Sequence, residues 1–170
     1  MDGPFNRVLQ GERNYTTYDM QRDQDMINLR TRSNVMVLSH EDPEVDSHPY
    51  WYARVLQIFH ADVRLRGQVP RRMEFLWVRW YSRDTQYHSG WDARRLHRLE
   101  FLPHTNPDAF GFLDPNDVIR GAHLIPGFHY GRTKELLPRS IARRPAEQDE
   151  DWVYYYINWW VSLGIFIDVI

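Results

Sequence analysis

Ten arginines and no lysine lie between Arg54 and Glu100, against five acids, Asp62, Glu74, Asp84, Asp92 and Glu100. A guanidinium presents a planar fork of donors that matches phosphate or carboxylate better than an ammonium does. Arg64, Arg66, Arg71, Arg72, Arg94 and Arg95 are the candidates for contact with nucleic acid or with an acidic protein surface. The competing reading is that these arginines pair with the domain's own acids. The formal net charge of the chain is −2, so any anion-binding surface must be local to this basic middle.

Other chemistry is sparse. The chain has no cysteine, which removes disulfides, thiolate zinc sites and a cysteine nucleophile. It contains no Gly-x-Ser-x-Gly elbow, and no glycine-rich phosphate loop of either common pattern. His40, Glu41, Asp46 and His48 form the best metal-ligand cluster, but they sit in HEDPEVDSHP, where two prolines and four acids indicate a solvated loop. No metal is expected there. His88, His97 and His104 are dispersed. Asp114 and Asp117 could act as an acid–base or magnesium pair. Their spacing also suits a helix start, with Asp114 as N-cap and Pro115 at the first helical position. No catalytic residue and no cofactor is implied.

These side chains need a scaffold, and the scaffold reads as β. Tyr50 to Leu65 and Met73 to Ser82 are two runs dense in Val, Ile, Phe, Tyr and Trp, flanking the turn-like Arg66-Gly67-Gln68-Val69-Pro70. In the second run Met73, Phe75, Trp77, Arg79 and Tyr81 share one face, and Glu74, Leu76, Val78, Trp80 and Ser82 share the other. Neither face is wholly polar, which places the hairpin inside a barrel or between layers. Further strands are expected at Asn34–Ser39, Phe110–Leu113 and Gly121–Pro126. Ala93 to Leu102 fits a helix or a strand equally, and Ile141 to Asp151 reads as a polar, acidic linker.

At 170 residues the chain suits one domain with arms. Residues 1–33 are expected to form an extended arm packed along the core, and residues 34–170 the barrel domain. The start, MDGPFNRVLQGERN, is polar and acidic where a secretory leader needs a basic start and an apolar core. The end, WVYYYINWWVSLGIFIDVI, is nearly continuously apolar. Asn158, Ser162 and Asp168 interrupt it and aromatics crowd its first half, so it reads as a strand completing the barrel and not as a membrane span.

Two resemblances follow from longer strings. NYTTYDMQRDQDMINLRTRSNVMVLSHE, HPYWYARVLQIFHADVR, MEFLWVRWY, GWDARRLHRLEF, FGFLDPNDVIRGAHLIP, GRT and DWVYYYIN resemble, in that order, the C-terminal region of Plavaka-type transposon proteins of mushroom-forming fungi. In that family this region lies downstream of the transposase part, and the carboxylate triad for DNA cleavage has no counterpart here. The final WVSLGIFIDVI departs from the charged, methionine-rich end of the family. A second resemblance is to the bromo-adjacent homology (BAH) domain, a distorted β-barrel of chromatin proteins. It is carried by Tyr52-Ala53-Arg54-Val55, Trp80-Tyr81-Ser82-Arg83 and Asp117-Val118-Ile119, with an aromatic strand at the end.

The BAH resemblance implies a mainly β, distorted BAH-like barrel with short helical turns and an N-terminal arm. It also implies a non-enzymatic module that binds chromatin, a histone tail or a nucleosome surface, in the nucleus. Some BAH domains hold methylated lysine in an aromatic cage to which this strand tryptophan contributes. Trp80 is then the first cage residue, and Phe110 or Phe112, before Asp114, would supply a second wall. The alternative is an accessory DNA- or RNA-binding domain that uses the arginine-rich hairpin. No membrane partner is expected.

Overall fold

The structure is a computed structural model, and it describes residues 15–16, 26–39, 48–64, 66 and 68–158. The strands in chain order are β1 (Tyr15–Thr16), β2 (Met26–Ile27), β3 (Asn34–Leu38), β4 (Tyr50–Val63), β5 (Arg71–Arg83), β6 (Arg98–Phe101) and β7 (Phe110–Leu113). They continue with β8 (Val118–Gly121), β9 (Leu124–Pro126), β10 (Arg132–Thr133), β11 (Asp151–Trp152) and β12 (Tyr155–Ile157). Helical structure among the described residues is confined to short 3-10 turns.

The long β4–β5 hairpin is the centre of the fold, as its β-branched and aromatic runs predict. β4 pairs antiparallel with β5 along its whole length, with a register irregularity between Val55 and Gln57. The other edge of β5 is shared. Leu76 to Arg79 pair with β7, and Tyr81 to Arg83 pair with β6. One strand serving two partners on the same edge must bend, and the bulge adds local twist.

The main sheet runs β8-β3-β4-β5-β6-β12-β9, so β8 and β9 are its two ends. Only Ala122 and His123 separate these ends in the chain. The Ala122 amide donates to the Asn34 carbonyl, on the β3 side, at 2.8 Å. The Asn158 amide donates to the His123 carbonyl, on the β12 side, at 2.9 Å. The chain thus steps from one end of the curled sheet to the other, and that step draws the ends together into a distorted barrel.

Both faces of the sheet are covered. Val35, Val55, Ile58, Leu76, Val78 and Val118 form one buried cluster. Met36, Tyr52, Tyr81, Leu99, Phe101 and Ile157 belong to the other. On β3, β4 and β5 consecutive residues alternate between the two clusters, as a period of two requires. Ile27 packs into the first cluster from outside the barrel domain as drawn from sequence.

Several local expectations resolve. Ala93–Leu102 contains a strand, β6, and no helix. Asp114 does cap a turn: its carboxylate accepts from the Asn116 amide at 2.9 Å, ahead of the 3-10 turn Pro115–Asp117. Tyr155–Ile157 is a strand between β6 and β9, while residues 159–170 lie outside the described part. No helix among the described residues is long and apolar enough to cross a membrane.

The polar linker read over Ile141 to Asp151 is a correction. It holds a 3-10 turn, Pro145–Glu147, and ends on the buried Asp151 in β11. Asp149 stays exposed, but Glu147 and Asp151 are drawn into the fold. They complete ion pairs with arginines of β4 and β5.

Candidate ligand-binding site

The three residues nominated for an aromatic cage do not share a face. Trp80 projects beside Gly111, and a Cβ added at Gly111 would lie 3.0 Å from the Trp80 Nε1. Only glycine lets the β7 backbone approach the indole this closely. Phe110 and Phe112 flank Gly111 on a regular strand, so they point to the opposite face. There the Phe110 ring lies 6.1 Å from Trp77, and the Phe112 ring 5.4 Å from Phe75. Both phenylalanines belong to β7, the strand expected over Phe110–Leu113.

The partner of Trp80 is Trp51. Their ring centroids are 6.0 Å apart at an interplanar angle of 75°. Trp51 lies on β4, diagonally across from Trp80 in a ladder where Ala53 opposes Trp80. Both indoles are half-buried and pack on the first core cluster with their inner edges. They line a cavity of about 530 Å³ that also involves Tyr50, Tyr52, Arg83 and Asp108. Asp108 is held there by the turn Pro107–Ala109, which Asn106 caps through a 2.8 Å bond from the Asp108 amide. Burial, followed by the neighbouring Tyr50, raises the Tyr52 pKa far above the usual phenol value, so Tyr52 is a neutral wall.

Trp51 was legible in YWYARV as a strand residue but carried no functional signal. Its pairing with Trp80 depends on the hairpin register, which the bulge at Val55/Gln57 shifts and which alternation alone does not predict.

The arginines separate into two kinds. Arg54, Arg79 and Arg98 are internal. Arg54 donates to Glu147 at 2.7 Å and lies 4.7 Å from the Phe101 ring centroid. Burial opposes its charge, but Tyr81, Tyr155 and Glu147 reverse that and its pKa is raised. Arg79 donates two nitrogens to Asp151, each at 3.0 Å, and lies 3.8 Å over the same Phe101 ring. Burial lowers the Arg79 pKa against the opposing pull of Asp151. Arg143 reaches Asp151 at 3.0 Å and also donates to the Leu137 carbonyl. Arg98 pairs with Asp84 at 2.6 Å between the rings of Tyr87 and Tyr154, each 4.1 Å away. This second aromatic box is therefore filled by the protein's own guanidinium. Beside it, burial and the hydrogen bond with Tyr130 push Tyr156 up to about 12.

Arg64, Arg66, Arg71 and Arg72 are different. All four are exposed at the tip of the β4–β5 hairpin. Arg94 and Arg95 are exposed as well, but in the loop that leaves the other end of β5. Arg94 takes a left-handed φ of 53°, and Arg95 lies 6.0 Å from the Tyr87 ring. The thirteen residues of β5 separate these two groups by up to about 40 Å along the strand. The six nominated arginines are thus two patches.

Among the described residues no three His, Asp or Glu side chains cluster as a metal site requires. His40, Glu41 and Asp46 lie outside the described part. Asp114 spends its carboxylate on its own turn.

Glu100 offers a separate test of the electrostatics. Burial, and then Asp84, raise its pKa, with Arg98 offsetting part of the rise. A raised carboxyl pKa means that the folded state holds this proton more tightly than the unfolded chain. The associated stability is present below the unfolded value and is lost as pH rises through the folded one. Glu100→Gln is expected to melt on the order of 2 °C higher than the parent at pH 7. The gap should close toward pH 4, and a calorimetric difference independent of pH would count against this account.

Compared with protein-family models, curated proteins and solved structures, the chain matches none of them.

Proposed function

We propose that the chain is a non-enzymatic interaction module that holds a methylated lysine of a chromatin protein between Trp51 and Trp80. In this reading it is a BAH-like domain related to the C-terminal region of Plavaka-type transposon proteins, and it works in the nucleus on a histone tail or nucleosome surface. The observation that carries it is the pair of half-buried indoles meeting at 75° over a cavity of about 530 Å³. Two perpendicular π faces attract a soft, poorly hydrated cation such as a methylammonium, and the attraction strengthens as the site excludes water. Asp108 supplies a carboxylate at the same cavity.

The test is an array of methylated and unmethylated histone peptides, with nucleosomes included. A trimethyl-lysine peptide is expected to bind at least about ten-fold more tightly than its unmethylated form. Trp80→Ala and Trp51→Ala should each remove that preference. Phe110→Ala and Phe112→Ala should leave it intact, because those rings lie on the other face. Binding that ignores methylation, or a preference that survives both tryptophan variants, overturns the proposal.

A further inference from the structure

Beyond β7 and β3 the β4–β5 hairpin continues as a two-stranded ribbon. β3 pairs no further along β4 than Arg54, and β7 pairs no further along β5 than Leu76. The ribbon from Phe59–Val63 to Arg71–Phe75 therefore has no described strand on either edge. Its two faces have opposite characters. The His60 Nδ1 lies 2.8 Å from a Glu74 carboxylate oxygen on one face, and Asp62 stands opposite Arg72 there. The other face carries Phe59, Ala61 and Val63 on β4, with Arg71, Met73 and Phe75 on β5. It contains no acid.

The rings on that face form one stack. Phe59 and Phe75 lie parallel at 5.3 Å and 18°, and Phe112 meets both edge-on. Phe112 is 70% exposed and Met73 49%. With Val63 at 38%, these side chains make a contiguous exposed apolar surface. The face ends at the tip, where Arg64, Arg66, Arg71 and Arg72 are all exposed, and none of them is a partner in an ion pair among the described residues that would spend its charge.

We infer that this aromatic face and its arginine tip bind single-stranded nucleic acid. An open phenylalanine accepts a base on its π face, and guanidiniums at the end of the row meet the phosphates that link successive bases. The charge argues for this occupant over a second copy of the chain. An isologous contact would press together two copies of a face that carries Arg71 and offers no acid to pair with it. Duplex DNA buries its bases in the stack and offers Phe112 nothing to stack on. The site is distinct from the Trp51–Trp80 cavity, which is lined by Trp80 to Arg83 at the other end of β5.

The experiment is fluorescence anisotropy of the full chain with labelled 20-mers of dT and rU. The same dT strand annealed to its complement serves as competitor, with sedimentation velocity alongside. Single strands are expected to bind at least ten-fold more tightly than the duplex. Phe112→Ala should weaken single-strand binding about ten-fold with the melting temperature unchanged, because its ring is exposed. Arg71→Ala should flatten the slope of log K against log salt by about 0.7 if this arginine neutralises one phosphate. Equal or tighter binding of the duplex overturns the inference. So do indifference to Phe112→Ala, absence of binding to both single strands, and self-association that Phe112→Ala abolishes.

Discussion

Asp151→Ala is expected to destabilise the protein by about 3–5 kcal/mol, the range for removing one partner of a buried ion pair. Asp151 is 2% exposed and is shared by Arg79 and Arg143, which are 2% and 8% exposed. Its removal would strand two guanidiniums in the core. The Arg79 Nε and the Arg143 Nη1 already lack hydrogen-bond partners, so the cluster has no spare acceptor to replace the carboxylate. A domain of this size has a total stability of about 5–15 kcal/mol, so much of it would be lost. Urea denaturation of the two proteins measures the difference through the midpoint at constant slope. The sharper control is Arg79→Met/Asp151→Leu/Arg143→Met, which replaces the whole cluster with apolar side chains. It should recover most of the loss, since the cost lies in the uncompensated charges and not in the absence of a favourable pair. A single Asp151→Ala variant within about 0.5 kcal/mol of the parent would mean that water reaches these arginines.

This cluster also marks where sequence reasoning stops. The hairpin was readable because its residues report on themselves. Val, Ile, Phe, Tyr and Trp alternate through Tyr50–Val63 and Arg71–Arg83, and two apolar faces demand two layers. The cap at Asp114-Pro115 was readable for the same local reason. Asp151 was not. In IARRPAEQDED it is one acid among several, and only the fold places it beside the arginine it neutralises, 72 positions away in sequence. The same holds for the site. Trp80 stood out by resemblance, but its partner is chosen by strand register, a non-local property. Phe110 and Phe112 were grouped with it by the same resemblance, whereas the pleat sends them to the other side of the sheet. The arginines pooled as one basic stretch divide into buried structural pairs and exposed patches, because net charge per segment carries no information about burial.

Phe101 links the buried pairs to the barrel, and its replacement is expected to have the other large effect. The ring is fully buried on β6, stacked on Tyr81 at 4.2 Å and 16°, and edge-on to Tyr155 at 5.6 Å. Arg79 lies 3.8 Å and Arg54 4.7 Å from its centroid. It is therefore both a core filler and the π face against which two desolvated cations rest. Phe101→Ala should cost about 3–5 kcal/mol from the cavity alone. Phe101→Leu separates the two roles, since leucine keeps much of the volume and none of the π face. If the ring only filled space, Phe101→Leu would cost less than about 1.5 kcal/mol, as roughly volume-conserving exchanges do. Cation–π attraction of about 2 kcal/mol at a desolvated site should carry it beyond that. Amide exchange locates the consequence. Arg54 and Arg79 hold Glu147 and Asp151, so Phe101→Leu is expected to speed exchange from Arg143 to Asp151 more than in β3, which takes no part in these ion pairs. Uniform acceleration across the barrel would show that the ring supports the core alone.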